Sequence, residues 1–297
     1  MSRCLNAGII GLGVGEKHIS GYNNHPNCKV TKICDFDLRK LKDVSSRFPD
    51  IDTTINPLEI LNDEQIDVIS IASFDNFHAE QVIHSLNSQK HVFVEKPLCL
   101  NRREFLNILD SMKTNPGLKL SSNLILRRTP RFINLRERLM KKKLGKPYLI
   151  ESSYDYGRIH KILSGWRGQI PFYSVMHGGG IHLIDLMMWL TGKKIKSVFA
   201  KGTKISTERS KFKFFDCVEA ILTFEEGVIG HVISNYSAVI PHGHRFILHG
   251  TSGTFNHGPL GCGYFWDRNK NSNPEIINDE YPGAEKGDII PSFLEHI

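Results

Sequence analysis

No apolar run in this sequence approaches the roughly 20 residues that a membrane-spanning helix needs. The start, MSRCLNAGII, also lacks a signal peptide's apolar core and cleavage site, so the chain reads as a soluble, cytoplasmic globular protein. Cysteine is sparse: Cys4, Cys28, Cys34, Cys99, Cys217 and Cys262 are scattered with no C-x-x-C pair, which speaks against a disulfide framework or a cysteine zinc site. Acidic residues run short in one half only. Residues 1–121 hold 14 Lys and Arg against 15 Asp and Glu, while the remainder holds 24 against 16, so the formal excess of +7 belongs to the second half. Its densest basic run, RERLMKKKLGK, reads as the solvated face of a helix from about Arg131 to Lys143. No base-stacking motif accompanies it, so an anionic small substrate explains the charge better than nucleic acid.

What is present is a change of texture near residue 122. Before it, LNAGII, CKVTKIC, DVISIA and HVFVE read as buried strands, separated by helical patterns near Glu16–Asn24, Leu38–Arg47, Asn76–Ser88 and Arg102–Lys113. That alternation predicts a doubly wound parallel sheet of the Rossmann type over residues 1–122. After it, YLIESSYDY, CVEAILTFEEGVIGHVISNY and RFILHGTSGTF alternate over longer stretches and predict an α+β domain over residues 123–297 with a large open, mainly antiparallel sheet. Val218, Ala220, Leu222 and Phe224 share the face expected to pack, and Gly227 supplies a hairpin turn. The end, DIIPSFLEHI, reads as the start of a helix cut off by the chain's end.

The first chemical signal is IIGLGVGEKH, with Gly11, Gly13 and Gly15 between a strand and a helix. Glycines there permit a tight turn and bring backbone N–H groups near a pyrophosphate. The third glycine of a G-x-G-x-x-G pattern would stand where Glu16 is. Asp35 ends the second strand 20 residues after Gly15, where a carboxylate reads ribose hydroxyls, so NAD is the expected cofactor and NADP the alternative. Arg39 and Lys40 are the counterweight to that preference. Two further strand ends reach the ligand-binding carboxyl edge, in SFDNFHAE and EKP. They make Ser73, His78, Glu95, Lys96 and Pro97 candidates for cofactor contacts.

Together with GGGIHLIDLMMWLTG and ILHGTSGTF, these motifs resemble the glucose-fructose oxidoreductase and inositol dehydrogenase family, Gfo/Idh/MocA, over essentially the whole chain. The resemblance implies a nicotinamide-dependent oxidoreductase acting on a sugar, sugar acid, cyclitol or nucleotide sugar. It implies catalytic roles for Lys96 and His182, and a homo-oligomer, dimer or tetramer. Many members carry an Asp four residues before the catalytic His; here that position is Gly178. Members usually continue well past residue 297. An NAD-retaining glycosidase and a non-catalytic dinucleotide- or sugar-binding protein are the rival readings.

Helical spacing sets His182, Asp185 and Trp189 on one stripe, with Asp185 able to hold the His182 ring. Gly178 to Gly180 allow close backbone approach, and Gly192 suits the C-terminal cap. A zinc site from His177, His182 and Asp185 has no familiar ligand spacing, and hydride chemistry needs no metal, so none is expected. In YDYGRIHK and GWRGQ, Arg158, His160, Lys161 and Arg167, with Tyr156 and Trp166, form a candidate pocket for an anionic substrate. Its expected contacts are Lys96, Arg158, Trp166, Arg167, His182 and Asp185; His242 and His244 are weaker candidates.

Overall fold

The computed structural model describes residues 3–297. The chain forms two compact units, one running up to Ile125 and including Ala284–Ile297, the other Leu126–Gly283. The boundary expected after residue 122 falls close to this division, whereas residues 284–297, expected in the second domain, group with the first.

In the first unit, β1 (Leu5–Ile10), α1 (His18–Asn23), β2 (Cys28–Cys34), α2 (Leu38–Arg47), β3 (Asp52–Thr54), α3 (Leu58–Leu61), β4 (Val68–Ile71), α4 (His78–Asn87), β5 (His91–Val94), α5 (Arg102–Thr114) and β6 (Leu120–Ser122) follow in order. The central strands β1, β4 and β5 are largely apolar, as expected where helices cover both sheet faces; β4 is buried along its whole length. They pair in parallel in the order β3-β2-β1-β4-β5-β6. Strand order reverses direction between β1 and β4, so a ligand crevice opens past the carboxyl ends of these two strands. Caps account for where the helices begin. The Asp37 side chain accepts from the Arg39 N–H at the start of α2. At α5, Asn101 accepts from the Glu104 N–H while Glu104 accepts from the Leu100 N–H, a reciprocal box.

The second unit holds α6 (Pro130–Met140), β7 (Pro147–Asp155), α7 (His160–Leu163), α8 (Ile181–Thr191), β8 (Ile195–Thr203), β9 (Cys217–Phe224), β10 (Ile229–Asn235), β11 (Gly243–Gly250), β12 (Thr254–Gly258), β13 (Gly261–Phe265) and β14 (Glu275–Ile276). Its sheet runs β14-β13-β12-β11-β7-β10-β9-β8. As expected, neighbours are mainly antiparallel, and β9 buries Ala220, Leu222 and Phe224 with Val218 half-buried on the same face. The β9–β10 turn uses two left-handed residues, Glu226 (φ 58°) and Gly227 (φ 81°). One pair departs from the antiparallel pattern: β7 and β10 are parallel, with Asp155 opposite Asn235. Both strands therefore finish at the same edge, where the Tyr156 N–H donates to the Asn235 carbonyl at 2.8 Å.

The chain closes on α9 (Ile290–Leu294), whose Ile290, Phe293 and Leu294 enter the first unit's core beside Ile19, Tyr22 and Phe93. No helix among the described residues is long and apolar enough to cross a membrane.

Candidate functional site

The glycine loop sits at the expected switch point. Gly11 leaves β1 with φ +90°, and a Cβ there would run into the backbone of Ala72 just past β4. Only glycine fits both the left-handed backbone and that approach. Above Gly13 nothing lies within 4 Å of where a Cβ would be, so the loop offers a bare backbone surface to a ligand. The helix expected near Glu16–Asn24 is α1, entered through a 3-10 turn over Gly15–Lys17.

Asp35 reaches this loop but is already committed to it. Its Oδ2 accepts from the Leu12 N–H at 2.7 Å and its Oδ1 from the Asp37 N–H at 2.9 Å, with the Lys40 ammonium 3.8 Å away. At 5% exposure it shapes the loop as well as carrying charge. His78 is equally enclosed: its Nδ1 faces the Pro97 carbonyl at 2.6 Å and its Nε2 the Ser73 carbonyl at 3.1 Å. It thereby ties the end of β4 to the turn after β5, and the Ser73 hydroxyl donates to Gln81 at 2.7 Å.

Glu95 ends β5 inside a polar network that sequence patterning does not show. Asn123, just beyond β6, donates from Nδ2 to Glu95 Oε1 and to the Lys286 carbonyl, both at 2.8 Å. His18 spans from the Ser70 hydroxyl (Nδ1, 2.7 Å) to Glu95 Oε1 (Nε2, 3.3 Å). A carboxylate only accepts, so Nε2 carries the proton in that contact. Burial alone would push the Glu95 carboxyl up, but the hydrogen bond from His18 and the cations of Lys286 and Lys96 outweigh it and bring it down to about 2. Lys96, half-buried, thus stands beside a fixed negative charge, and its bond to Pro97 is cis. The carboxyl-edge rule that pointed to Glu95 and Lys96 also covers Asn123.

In the second unit, the shared ends of β7 and β10 carry a group of aromatic rings. Tyr154 stacks on His182 (centroids 6.4 Å, 23° between planes) and on Tyr236 (6.0 Å, 28°). His242 and His244 meet the Tyr154 ring edge-on at 5.3 and 4.9 Å. Burial first, then the neighbouring Tyr156 and Tyr173, pushes the Tyr154 phenol up, while Arg167 and Arg158 pull it the other way. Arg158 lies over the Tyr156 ring at 5.6 Å and Arg167 over Trp166 at 4.6 Å. Arg158 and Arg167, with Tyr156 and Trp166, all belong to the second unit.

His182 sits in the first turn of α8, 6% exposed, after a π-helical turn over Met176–Gly180. π-helical turns of this kind recur at functional sites. Gly192 caps the helix with φ 67°. Asp185 differs from expectation. Its two oxygens accept from Arg127 Nε at 2.8 Å and Nη2 at 2.5 Å, a two-pronged pair that makes Arg127, and not the His182 ring, its hydrogen-bond partner. Arg127 lies outside every motif, so no spacing rule links it to Asp185. Trp189, third on the expected stripe, is covered by the Arg136 guanidinium at 4.5 Å.

Two family models match the chain. One, described as the oxidoreductase family's NAD-binding Rossmann fold, covers residues 5–122, and the other, the GFO/IDH/MocA C-terminal domain, covers residues 132–256. With the glycine loop at the switch point, these define an NAD-binding oxidoreductase. The chain belongs to the GFO/IDH/MocA family. It is 25% identical over 257 residues to a myo-inositol 2-dehydrogenase of Thermotoga maritima, spanning 84% of this chain and 74% of that one. Its fold is shared with a myo-inositol 2-dehydrogenase from Lactobacillus plantarum (TM-score 0.84, 22% identity, 99% of this chain and 89% of that one). The same holds for scyllo-inositol dehydrogenase from Lactobacillus casei, solved with NAD(H) and scyllo-inositol (TM-score 0.81, 19% identity, 99% and 88%).

Proposed function

We propose that this protein is a dehydrogenase that oxidises a secondary hydroxyl of a cyclitol, sugar, sugar acid or nucleotide sugar. The observation that carries the reading is the setting of Lys96: a half-buried lysine just past β5, beside a Glu95 carboxylate held ionised by His18 and neighbouring cations. An ammonium there can donate to a reacting oxygen and stabilise negative charge developing on it. NAD, held by the loop from Gly11 to Gly15, supplies the hydride acceptor. His182 takes up the hydroxyl proton. The inositol dehydrogenases among the relatives support a polyhydroxylated substrate.

Arg158 and Arg167, each over an aromatic ring and both felt by Tyr154, support an acidic group on that substrate. Arginine holds a carboxylate or phosphate through two parallel hydrogen bonds. The exposed cross-strand pair Phe199 and Ile221, with Ile229 nearby on the same sheet, supports a homo-oligomer built on the open sheet.

The test is a panel of cyclitols, sugars, sugar acids and nucleotide sugars scored by NADH absorbance. Wild type should reduce NAD with at least one compound, and Lys96→Met should bind NADH as before yet lose turnover. A panel with no turnover, or a Lys96→Met enzyme of unchanged single-turnover rate, overturns the reading.

A further inference from the structure

Gly178 stands four residues before His182, one turn back on the helical path. A Cβ at residue 178 would fall closer than 3.0 Å to the hydroxyl oxygens of both Tyr173 and Tyr236. Those hydroxyls are bonded to each other, Tyr173 donating to Tyr236 at 3.0 Å, and both side chains are almost fully buried. A Cβ on the next residue, Gly179, would clash with the Tyr154 ring, 2.4 Å from its nearest carbon. The turn leading into His182 therefore lies directly on three tyrosines, which no side chain at residue 178 or 179 would allow.

From this geometry we infer that the Tyr173–Tyr236 hydroxyl pair is a positioning element for His182, occupying the place a side chain at residue 178 would take. A hydroxyl has one proton to donate and two lone pairs. Tyr173 spends its proton on Tyr236, and each oxygen keeps a lone pair able to accept from an imidazolium N–H. Burial first, with Tyr173 and Tyr154 nearby, pushes the Tyr236 phenol well up, so it stays neutral at working pH. The pair transfers no proton in the reaction; it fixes the turn and gives the region of the imidazole a polar floor. Tyr236 also stacks on Tyr154, which stacks in turn on the His182 ring, so the pair bears on His182 along two routes.

The inference rests on His182 as the proton-handling group of the proposed reaction, and its test includes a readout independent of turnover. The titratable and charged groups around the Tyr154–His182 stack are Tyr156, His242 and His244 at the ring, Arg158 and Arg167 acting on Tyr154, and the Arg127–Asp185 pair one turn along α8. All are left intact in the variants Tyr236→Phe and Tyr173→Phe. With histidine labelled at Cε1 and the His182 signal assigned by its loss in His182→Gln, the imidazole is titrated by NMR in wild type and both variants. Removing the hydroxyl makes the surroundings less able to hold an imidazolium, so the His182 midpoint should fall in Tyr236→Phe. kcat should fall about tenfold, the worth of one hydrogen bond, with KM nearly unchanged. Tyr173→Phe should act in the same sense but more weakly. If neither folded variant moves the His182 midpoint downward, the tyrosines are packing alone and the inference fails. If the midpoint falls while wild type turns over no compound of the panel, the pair stands and the proposed reaction does not.

Discussion

At the scale of single residues, two groups are expected to act on the reacting hydroxyl. General acid–base assistance is worth about 10²- to 10⁴-fold, so His182→Ala should depress kcat within that range while leaving NADH affinity intact. Lys96→Met should cost more, and the double variant little beyond the worse single one, because two groups serving one proton are not additive. Deuteration at the reacting carbon in single-turnover assays reads the chemical step directly; unchanged rates in both variants would remove them from the mechanism. Arg158→Ala and Arg167→Ala should each raise KM for the true substrate without weakening NADH. A loss of cofactor binding, or no kinetic change in either, would reassign them to the surface. Asp35→Ala should weaken NAD binding through the loop as well as through charge, since its two oxygens hold the Leu12 and Asp37 N–H groups. Tighter NADPH than NADH binding in wild type would overturn the NAD assignment.

Acid stability is also set by single side chains, in two windows. Burial, with Arg131 adjacent, holds His257 near 4 instead of 6.5, so the unfolded chain binds a proton that the folded one refuses, and stability declines as pH falls from 6.5 toward 4. Glu95 is likewise held below its ordinary value. Held near 2 instead of 4.5, it stabilises the fold fully above 4.5, and that contribution is lost as pH falls toward 2. Glu95→Gln should melt lower than wild type at neutral pH, and the gap should close below pH 4.5. Parallel melting curves across this range would show that the His18–Glu95–Asn123 network contributes no such linkage.

At the scale of elements, the glycine turn before α8 is the least tolerant feature of the second unit. Gly178→Ala and Gly179→Ala should each lower the melting temperature and kcat together, because the added methyl meets tyrosines packed between strands. Gly13→Ala, with open space around its Cβ, should leave stability unchanged and weaken NADH binding. A Gly13→Ala protein with wild-type NADH affinity would mean that the ligand does not approach there. These contrasts mark what patterning could convey. The helix expected at Leu38–Arg47 has those bounds in the structure because Asp37 caps it, a local signal. The short elements β3, α3 and β6 carry too few residues to show a period, and went unread. Alternation marks a strand's faces but not its direction, so the parallel β7–β10 pair was invisible, and with it the meeting of Tyr154 and Tyr236. Motifs likewise pointed to Lys96 and His182, yet the groups around them, Asn123 and His18 by Glu95 and Tyr154 by the His182 ring, come from distant segments that only tertiary pairing unites.

At the scale of the whole molecule, the exposed Phe199 and Ile221 lead to an expected size in solution larger than one chain, measurable by light scattering. Phe199→Glu with Ile221→Lys should shift it toward the monomer, and a monomeric wild type would dismiss the oligomer outright. The bond from Asn123 to the Lys286 carbonyl has a further consequence, one of chain topology. The backbone departs the first unit after Ile125 and rejoins it at Ala284, and Asn123 and Lys286, close to these two points, are joined by one 2.8 Å hydrogen bond. The second unit is thus inserted in the sequence of the first, and Asn123, near one end of the insertion, also holds Glu95. Replacing residues 126–283 by a few glycines should therefore yield a small protein that folds cooperatively and still binds NADH, its carboxyl segment seated on the core through Ile290 and Phe293.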